Sequence, residues 1–284
     1  MRISVIGSQG QLGHDLMMSL AGDDHQLTGL THQQISIEDA SSLEAAFAES
    51  SPELVINTAA YNKVDQAESS PEAAFAINAF GPRNLAMYCQ KKNISLMHIS
   101  TDYVFGLAGE GRSAYTELDA PGPLSVYGQS KLAGEYFVRA ICPQHFVVRT
   151  CGLYGKAGKT GNGNFVETML RLGKERDELS IINDQHCTPT STRDLSTALA
   201  RLIQTKEFGL YHATNQGQMT WFEFAQAIFE LAGINVKTTA ISTEQFNAAA
   251  ERPRFSVLDC SQLQKASGYS FPHWKEALKA YLEE

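Results

Sequence analysis

Two tyrosine–lysine pairs offer the most obvious chemistry in this chain. Tyr127 and Lys131 lie in "SVYGQSKLAGE", and Tyr88 and Lys92 lie in "MYCQKKN". Residues four apart are neighbours on one face of a helix, so either pair would place a phenol beside an ammonium group. A positioned tyrosine with a cation nearby is a candidate general acid. Because the spacing occurs twice, the elements that carry the pairs must decide between them.

The first half of the chain alternates short apolar runs with stretches of helical periodicity. The runs "RISVI", "HQLTGL", "ELVINTAA", "ISLMHIS" and "HFVVRT" predict five strands. Their near-continuous apolar character is typical of strands that are covered on both faces. A long helix is predicted over 70–92, with Pro71 in its first turn. The β-α-β-α order predicts an α/β fold with a doubly wound parallel Rossmann sheet.

Ligands of such sheets bind beyond the carboxyl ends of the strands. Thr101 and Asp102 follow the fourth predicted strand in "ISTDYVFG", and the helix with Tyr127 and Lys131 precedes the fifth. Both segments are expected to meet at this edge. The other pair lies in the last turns of a crossover helix, far from the strand ends. The order of elements therefore favours the first pair.

A glycine-rich turn follows the first predicted strand in "GSQGQLG", with Gly7, Gly10 and Gly13. The first glycine permits a tight turn, the second lets the backbone approach a pyrophosphate, and the third lets the helix pack close to the sheet. The helix N-terminus stabilises the phosphate charge. The position of this turn at the start of a β-α unit predicts a dinucleotide site, whereas an ordinary strand-to-helix turn is the alternative.

The end of the second predicted strand bears on the choice of dinucleotide. An acidic residue there would bind a ribose 2′-hydroxyl and repel a 2′-phosphate. This chain has "TGLTHQQ", in which Thr31 and His32 are both hydrogen-bond donors. The segment favours NADPH, with NADH left open, and His32 has the alternative of being an ordinary surface residue.

The pattern of short apolar runs alternating with helical stretches ends near residue 150. "GKAGKTGNGN" predicts a loop, and "FVETMLRLGKE", "STRDLSTALARLIQ" and "TWFEFAQAIFELAG" predict amphipathic helices. We expect an NAD(P)-binding domain over 1–150 and a smaller substrate-binding lobe over 151–284. A segment around 190–213 is expected to return to the first domain.

Composition limits the classes of function. A net charge of −8 argues against nonspecific binding to nucleic acid. No apolar run reaches the length of a membrane span, and the N-terminus is a poor signal peptide. The scattered cysteines, without a CxxC pair, indicate reduced thiols in a cytoplasmic protein. The sequence offers no clear cluster of metal ligands, so no metal is predicted.

Several motifs in order give the chain a family resemblance. It resembles the extended short-chain dehydrogenases/reductases, and among them it is most similar to the dTDP-4-dehydrorhamnose reductases. The resemblance covers nearly the whole chain and rests on these segments: "GSQGQLG", "VINTAAYNKVDQAES", "AFAINAFGPRNLA", "ISTDYVFG", "LSVYGQSKLAGE", "VVRTCGLYG", "NFVETMLRL", "PTSTRDL" and "ERPRFSVLD".

The resemblance implies reduction of dTDP-4-dehydro-L-rhamnose to dTDP-L-rhamnose by NAD(P)H. Tyr127 would protonate the carbonyl oxygen, and Lys131 would lower the pKa of that tyrosine and hold the nicotinamide ribose. Thr101 would bind the same substrate oxygen, and Asn78 matches the family's structural asparagine. A homodimer is a further expectation. The expected cofactor contacts are Gly7, Gly10, Gln11, Leu12, Gly13, Thr31, His32, Ile37, Ala59, Ala60, Tyr61, Tyr127 and Lys131.

The substrate is expected to contact Thr101, Asp102, Tyr127, Asn164 and Arg252. The family binds the pyrophosphate of the sugar nucleotide between two lobes, and arginine makes strong bidentate contacts to phosphate. Arg252 in "AERPRFSVLD" and Asn164 in "GNGNFVETML" are the candidates for this contact. The alternatives are an Arg252 paired with a surface carboxylate and an Asn164 that only caps a helix.

Departures from the family pattern leave the substrate open. Related 4,6-dehydratases carry a glutamate where Tyr103 stands, so simple reduction is favoured. Many of the reductases have a tryptophan where Gly152 stands, an acid where Ser36 stands, and a glycine where Cys187 precedes Thr188. Reduction of another nucleotide ketosugar is one alternative. The other is a noncatalytic NADP-binding regulatory subunit, similar to that of methionine adenosyltransferase.

Overall fold

A parallel sheet of six strands forms the centre of the protein, with the strand order β10-β5-β4-β3-β1-β2. The computed structural model describes residues 1–22, 24–107, 113–159 and 163–283. Within these ranges the strands are β1 (Arg2–Ile6), β2 (Gln26–Leu30), β3 (Leu54–Asn57), β4 (Ser95–Thr101), β5 (His145–Thr150), β6 (Leu153–Tyr154), β7 (Glu178–Ile182), β8 (His186–Cys187), β9 (Thr190–Ser191), β10 (Gly209–His212), β11 (Met219–Thr220) and β12 (Lys237–Ile241).

Helices cover both faces of this sheet, which confirms the predicted doubly wound α/β fold. They are α1 (Gln11–Leu20), α2 (Ala40–Phe47), α3 (Val64–Ser69), α4 (Pro71–Phe75), α5 (Gly81–Lys92), α6 (Val126–Ile141), α7 (Phe165–Glu175), α8 (Thr192–Leu202), α9 (Trp221–Ala232), α10 (Thr243–Phe246), α11 (Ser261–Ser267) and α12 (Trp274–Glu283). None of the helices in the described ranges is both long enough and apolar enough to span a bilayer.

The apolar strands separate two hydrophobic cores. Ile3 and Val5 of β1 pack with α1 and α8 on one face. Ile6, Val55 and Val147 pack with α2, α5 and α6 on the other. Burial on both faces explains why these strands are nearly continuous apolar runs. The five strands predicted from sequence are β1 to β5, and β10 adds a sixth beside β5.

The long helix predicted over 70–92 is interrupted. After α4, residues Ala76–Phe80 form a π-helical turn that leads directly into α5. Such turns recur at functional sites because they re-aim one side chain. The carbonyl oxygen of Asn78 in this turn would lie 2.2 Å from a Cβ at Gly134, so the glycine lets α6 approach closely.

The second half of the chain builds a third core from α7, α9 and α12. Several segments of this half pack against the first half, among them α8, which touches α1 through the hydroxyls of Ser19 and Ser196, 2.7 Å apart, and β10, which pairs with β5. The division into two lobes near residue 150 stays a prediction. The predicted loop over 155–164 contains a 3-10 turn, Lys156–Lys159, and its residues 160–162 lie outside the described ranges.

Candidate active site

The turn after β1 depends on its glycines in the way a dinucleotide site requires. Gly7 has φ +80°, and a Cβ there would lie 2.6 Å from Oγ1 of Thr58. A Cβ at Gly13 would lie only 2.1 Å from the carbonyl oxygen of Gly7. Real side chains do not tolerate such distances, so these two positions exclude any larger residue. The N-terminus of α1 is thereby held against the end of β1.

A cavity of about 290 Å³ opens beside this turn, at the carboxyl ends of β1, β2 and β3. This is the point where the strand order reverses, which is where open α/β sheets bind their ligands. Its lining includes seven of the expected cofactor contacts: Gly7, Gly10, Thr31, His32, Ile37, Ala59 and Ala60. The close-packed glycine turn and this cavity fit the adenosine half of a dinucleotide. Sequence reasoning missed Gln9, Ile35, Glu38 and Ile77, which also line it.

The remaining expected contacts have other local roles. Leu12 is buried in the core. Oε1 of Gln11 accepts hydrogen bonds from the backbone N–H of Gly155 and from Nδ2 of Asn164, both at 2.9 Å. The hydroxyl of Tyr61 is buried and has no hydrogen-bond partner within the described part of the chain. Of these three residues, Tyr61 therefore keeps a polar atom available to a ligand.

At the end of β2, the hydrogen-bond donors of Thr31 already have a partner within the protein. The backbone N–H and the hydroxyl of Thr31 both donate to Oε1 of Gln34, at 2.9 and 3.0 Å. His32 is exposed at the rim of the cavity. A phosphate contact from Thr31 would therefore replace the bond to Gln34, whereas His32 is accessible from solvent.

The catalytic candidates converge at the end of β4. Ser125 caps α6 by accepting from the N–H of Gly128, and Glu68 accepts from the N–H of Val126, 2.9 Å away. These contacts fix the first turn of α6, which carries Tyr127. The phenol interacts with the side chain of Thr101. The structure thus brings the tyrosine and the threonine together as the sequence analysis expects.

Lys131 lies beneath this pair and is almost completely buried. Its Nζ donates to the carbonyl oxygen of Ile99, 2.6 Å away. Burial lowers the pKa of Lys131 to about 8, and the nearby Glu135 opposes that shift. Burial raises the pKa of Tyr127 to about 12, against the opposing interaction with Thr101. The expected lowering of the tyrosine pKa is therefore absent, because desolvation outweighs it; a protonated phenol is the form that donates a proton.

Asn78 organises the floor of the site from the π-helical turn. Its amide accepts from the N–H of Tyr61 at 2.8 Å and donates to the hydroxyl of Ser130 at 3.0 Å. Ser130 adjoins Lys131 on α6, so the asparagine links the loop after β3 to the catalytic helix. By contrast, the other tyrosine–lysine pair lies near the C-terminus of α5, where the ring of Tyr88 packs 5.2 Å from that of Phe47 and Lys92 pairs with Glu44 at 3.4 Å.

Asp102 is inside the protein rather than on the cavity surface. Only 1% of it is exposed, and its carboxyl accepts from the hydroxyls of Ser256 at 2.6 Å and Thr101 at 3.2 Å. Burial raises its pKa. The expected direct substrate contact is not what this geometry favours; Asp102 instead ties the end of β4 to the C-terminal segment.

A second cavity, of about 560 Å³, lies beside Gly106 and Leu107, in the segment that follows β4. Arg252 and Arg254 both line it. Arg252 forms a bidentate pair with Asp65, at 3.0 and 2.8 Å, which is the alternative weighed for it. Arg254 pairs with Asp184 at 2.8 Å. Sequence reasoning quoted Arg254 within its motif but gave it no role; a second guanidinium two residues away was the available signal.

Asn164 lies elsewhere. It caps α7 by accepting from the N–H of Glu167 at 2.9 Å, and its amide nitrogen contacts Gln11 at 2.9 Å. It does not belong to the lining of the cavity that holds Arg252. The structure therefore separates the two residues expected to share the pyrophosphate, and supports the capping alternative for Asn164.

The structure gives a reason for the glycine at position 152, where many of the reductases have a tryptophan. This residue has φ +52°, and a Cβ there would lie 3.1 Å from the indole of Trp221 and 3.2 Å from Pro189. A tryptophan at 152 would collide with the one that α9 supplies. Next to it, the thiols of Cys151 and Cys187 interact, and that contact, with burial, raises the pKa of Cys151.

Comparisons with known proteins agree with this geometry. The family model described as "RmlD substrate binding domain" matches residues 1–284. The chain belongs to that family. A dTDP-4-dehydrorhamnose reductase of Streptomyces griseus is 40% identical over 96% of this chain and 90% of its own length.

Two crystal structures of proteins with that name superpose on nearly the whole chain of this RmlD family member. The protein from Clostridium acetobutylicum ATCC 824 has a TM-score of 0.94 and 41% identity, covering 100% of this chain and 99% of that one. The protein from Bacillus anthracis str. Ames, in complex with NADP, has a TM-score of 0.93 and 40% identity, covering 99% and 98%. These matches confirm the family and the fold expected from the sequence.

Proposed function

We propose that this protein is an NADPH-dependent reductase that converts dTDP-4-dehydro-L-rhamnose to dTDP-L-rhamnose. The observation that carries the proposal is the convergence of Tyr127 and Thr101 at the strand ends of a doubly wound sheet, with the buried Lys131 one helical turn after the tyrosine. The names of the relatives and the NADP bound in a 40% identical structure support the same reading.

The roles of the residues follow from their surroundings. NADPH, when bound, supplies a hydride for the carbonyl carbon at C4 of the sugar. Tyr127 delivers its phenolic proton to the carbonyl oxygen, and the hydroxyl of Thr101 hydrogen-bonds to that oxygen as charge develops. The buried ammonium of Lys131 stabilises the tyrosinate that remains. The product is an alcohol, and the phenol regains its proton from solvent.

The substrate nucleotide is assigned to the 560 Å³ cavity, where two arginines present guanidinium groups to a pyrophosphate. The residues around the 290 Å³ cavity would hold the adenosine half of the cofactor, and Lys131 would hold the nicotinamide ribose. His32, exposed at the rim with no carboxylate at the end of β2, supports NADPH over NADH.

The decisive experiment is NADPH oxidation, followed by absorbance, with a panel of 4-keto nucleotide sugars. We expect turnover with dTDP-4-dehydro-L-rhamnose and much less with UDP-linked ketosugars. A protein that binds NADPH tightly but oxidises it with none of these sugars would instead match the noncatalytic alternative.

We further propose that the protein works as a homodimer in the cytoplasm. Phe80, in the π-helical turn before α5, and Tyr136, on α6, are about half exposed and form an apolar area suited to a second copy. The five cysteines are unpaired, as in a reducing compartment. Light scattering coupled to size-exclusion chromatography tests the dimer directly, and a single peak at 31.1 kDa would contradict it.

A further inference from the structure

A buried charged network lies directly under the catalytic edge and has no part in the proton transfer described above. Glu135 is 0% exposed and Arg149 is 1% exposed. The guanidinium of Arg149 donates to both carboxylate oxygens, at 2.7 and 2.9 Å. The hydroxyl of Ser100 donates to Oε1 of Glu135 at 2.5 Å.

Stability alone does not account for such a pair. The desolvation cost of two buried charges is often as large as their attraction, so well-packed apolar residues of similar volume frequently serve as well. Arg149 also lies 5.0 Å from the ring of Phe105 and 3.4 Å from Nε2 of His212, both buried. A fully desolvated ion pair therefore lies at one place in the sheet. There it holds its own side chains and their neighbours in a specific orientation.

The place is defined by the catalytic elements. Glu135 follows Lys131 by one turn on α6, so the two side chains share a helix face. Ser100 lies on β4 between Ile99, whose carbonyl oxygen holds Nζ of Lys131, and Thr101, which contacts Tyr127. Two adjacent hydrogen bonds therefore join the end of β4 to α6. One is made by Lys131 and the other by Glu135.

Glu135 also has an electrostatic effect on Lys131, which the charged groups around this lysine make clear. From β4, His98 is fully buried, and burial together with the charge of Lys131 holds its pKa far below the usual value, so it is neutral. From β5, Arg149 reaches the carboxylate of Glu135. From the π-helical turn and β3, the groups nearby are the uncharged amides of Asn78 and Asn57. Glu135 is the negative charge that opposes desolvation of the lysine.

We propose that Glu135 is a positioning residue of the reduction: it aligns Thr101 with Tyr127 through Ser100 and keeps Lys131 charged at neutral pH. The proposal rests on the proposed function in so far as that function uses Lys131. Arg149 acts one step further back, by holding the carboxylate of Glu135 in place.

The test uses the double variant Glu135→Gln/Arg149→Met, which removes both charges and leaves neither partner unpaired in the core. The matched control is Arg171→Met/Glu175→Gln, which removes an exposed ion pair one turn apart on α7. The ¹³Cε signal of Lys131 is titrated with pH in each full-length protein, and Lys131→Arg assigns it. The alkaline limb of the kcat/KM profile is measured in parallel.

In the parent protein we expect a midpoint near the lowered pKa of Lys131, about 8. The double variant should fold and show both the midpoint and the alkaline limb displaced to lower pH, because Glu135, and not Arg149, is the charge that acts on Lys131. The control should match the parent. A folded double variant with an unchanged midpoint would overturn the proposal. If the parent reduces no ketosugar, the proposed function fails, and the lysine titration still decides the role of Glu135.

Discussion

The two cavities assigned to the cofactor and the substrate are built in different ways. The smaller cavity is formed by residues that directly follow β1, β2 and β3, and its shape depends on backbone contacts to glycines. The larger one gathers residues from Gly106 to Arg254, and its two arginines are held by carboxylates. The shape of the smaller cavity is set by glycines whose neighbours leave no room for a side chain. The larger cavity is lined by arginines whose carboxylate partners could be exchanged for a ligand. A cofactor common to many enzymes suits the rigid cavity, and a particular substrate suits the adjustable one.

The largest expected effect comes from the residue that serves both ligands. Tyr127→Phe removes the proton donor and should reduce kcat by at least about 100-fold, the lower range for a positioned general acid. NADPH affinity, measured by fluorescence, should change little because the ring remains. Tyr88→Phe, near the C-terminus of α5, is the control and should be nearly silent because the ring that packs against Phe47 remains. Similar losses in both variants would refute the assignment.

The variant Gly13→Ala tests whether NADPH binding requires the absence of a side chain in the turn after β1. The new Cβ would lie 2.1 Å from the carbonyl oxygen of Gly7, so α1 must shift. Overpacking of about 2 kcal/mol corresponds to a roughly 30-fold weaker NADPH affinity. Gly22→Ala is matched, because a Cβ there meets nothing within 4 Å. Unchanged NADPH binding in Gly13→Ala would show that the turn is more adaptable than its contacts indicate.

Arg252→Ala tests the substrate cavity. If the guanidinium exchanges Asp65 for the pyrophosphate, substrate KM should rise about tenfold, or about 1.4 kcal/mol, with NADPH affinity near that of the parent. Asp65→Ala keeps the arginine and should leave KM equal or lower. Should both variants lose thermal stability with KM unchanged, Arg252 is structural and the nucleotide lies elsewhere.

The smallest effect is expected at the rim of the cofactor cavity. Thr31→Asp places a carboxylate at the end of β2, where it would repel a 2′-phosphate and bind a ribose hydroxyl. We expect the ratio of kcat/KM for NADPH over NADH to fall about fivefold, since two unit charges about 4 Å apart in water repel each other by about 1 kcal/mol. The parent should use NADPH at least as well as NADH. A tenfold preference of the parent for NADH would contradict the cofactor assignment.

Local patterns in the sequence determined much of the fold and the outline of the site. Apolar runs that must be covered on both faces fixed β1 to β5, and glycines with no room for a Cβ identified the turn after β1. The order of these elements placed Tyr127, Lys131 and Thr101 at one edge. Each of these inferences uses a short stretch of chain or the chirality of β-α-β connections.

Tertiary structure alone decided the contacts between distant segments. Asn164 meets Gln11 across 153 residues, and Arg252 meets Asp65 across 187. Trp221 fills the space beside Gly152, and Arg149 finds Glu135 inside the core. The pKa values of Tyr127 and Lys131 also depend on burial, which spacing does not report. Periodicity shows which face of an element is buried, but the partner of each polar group is set by how the elements pack.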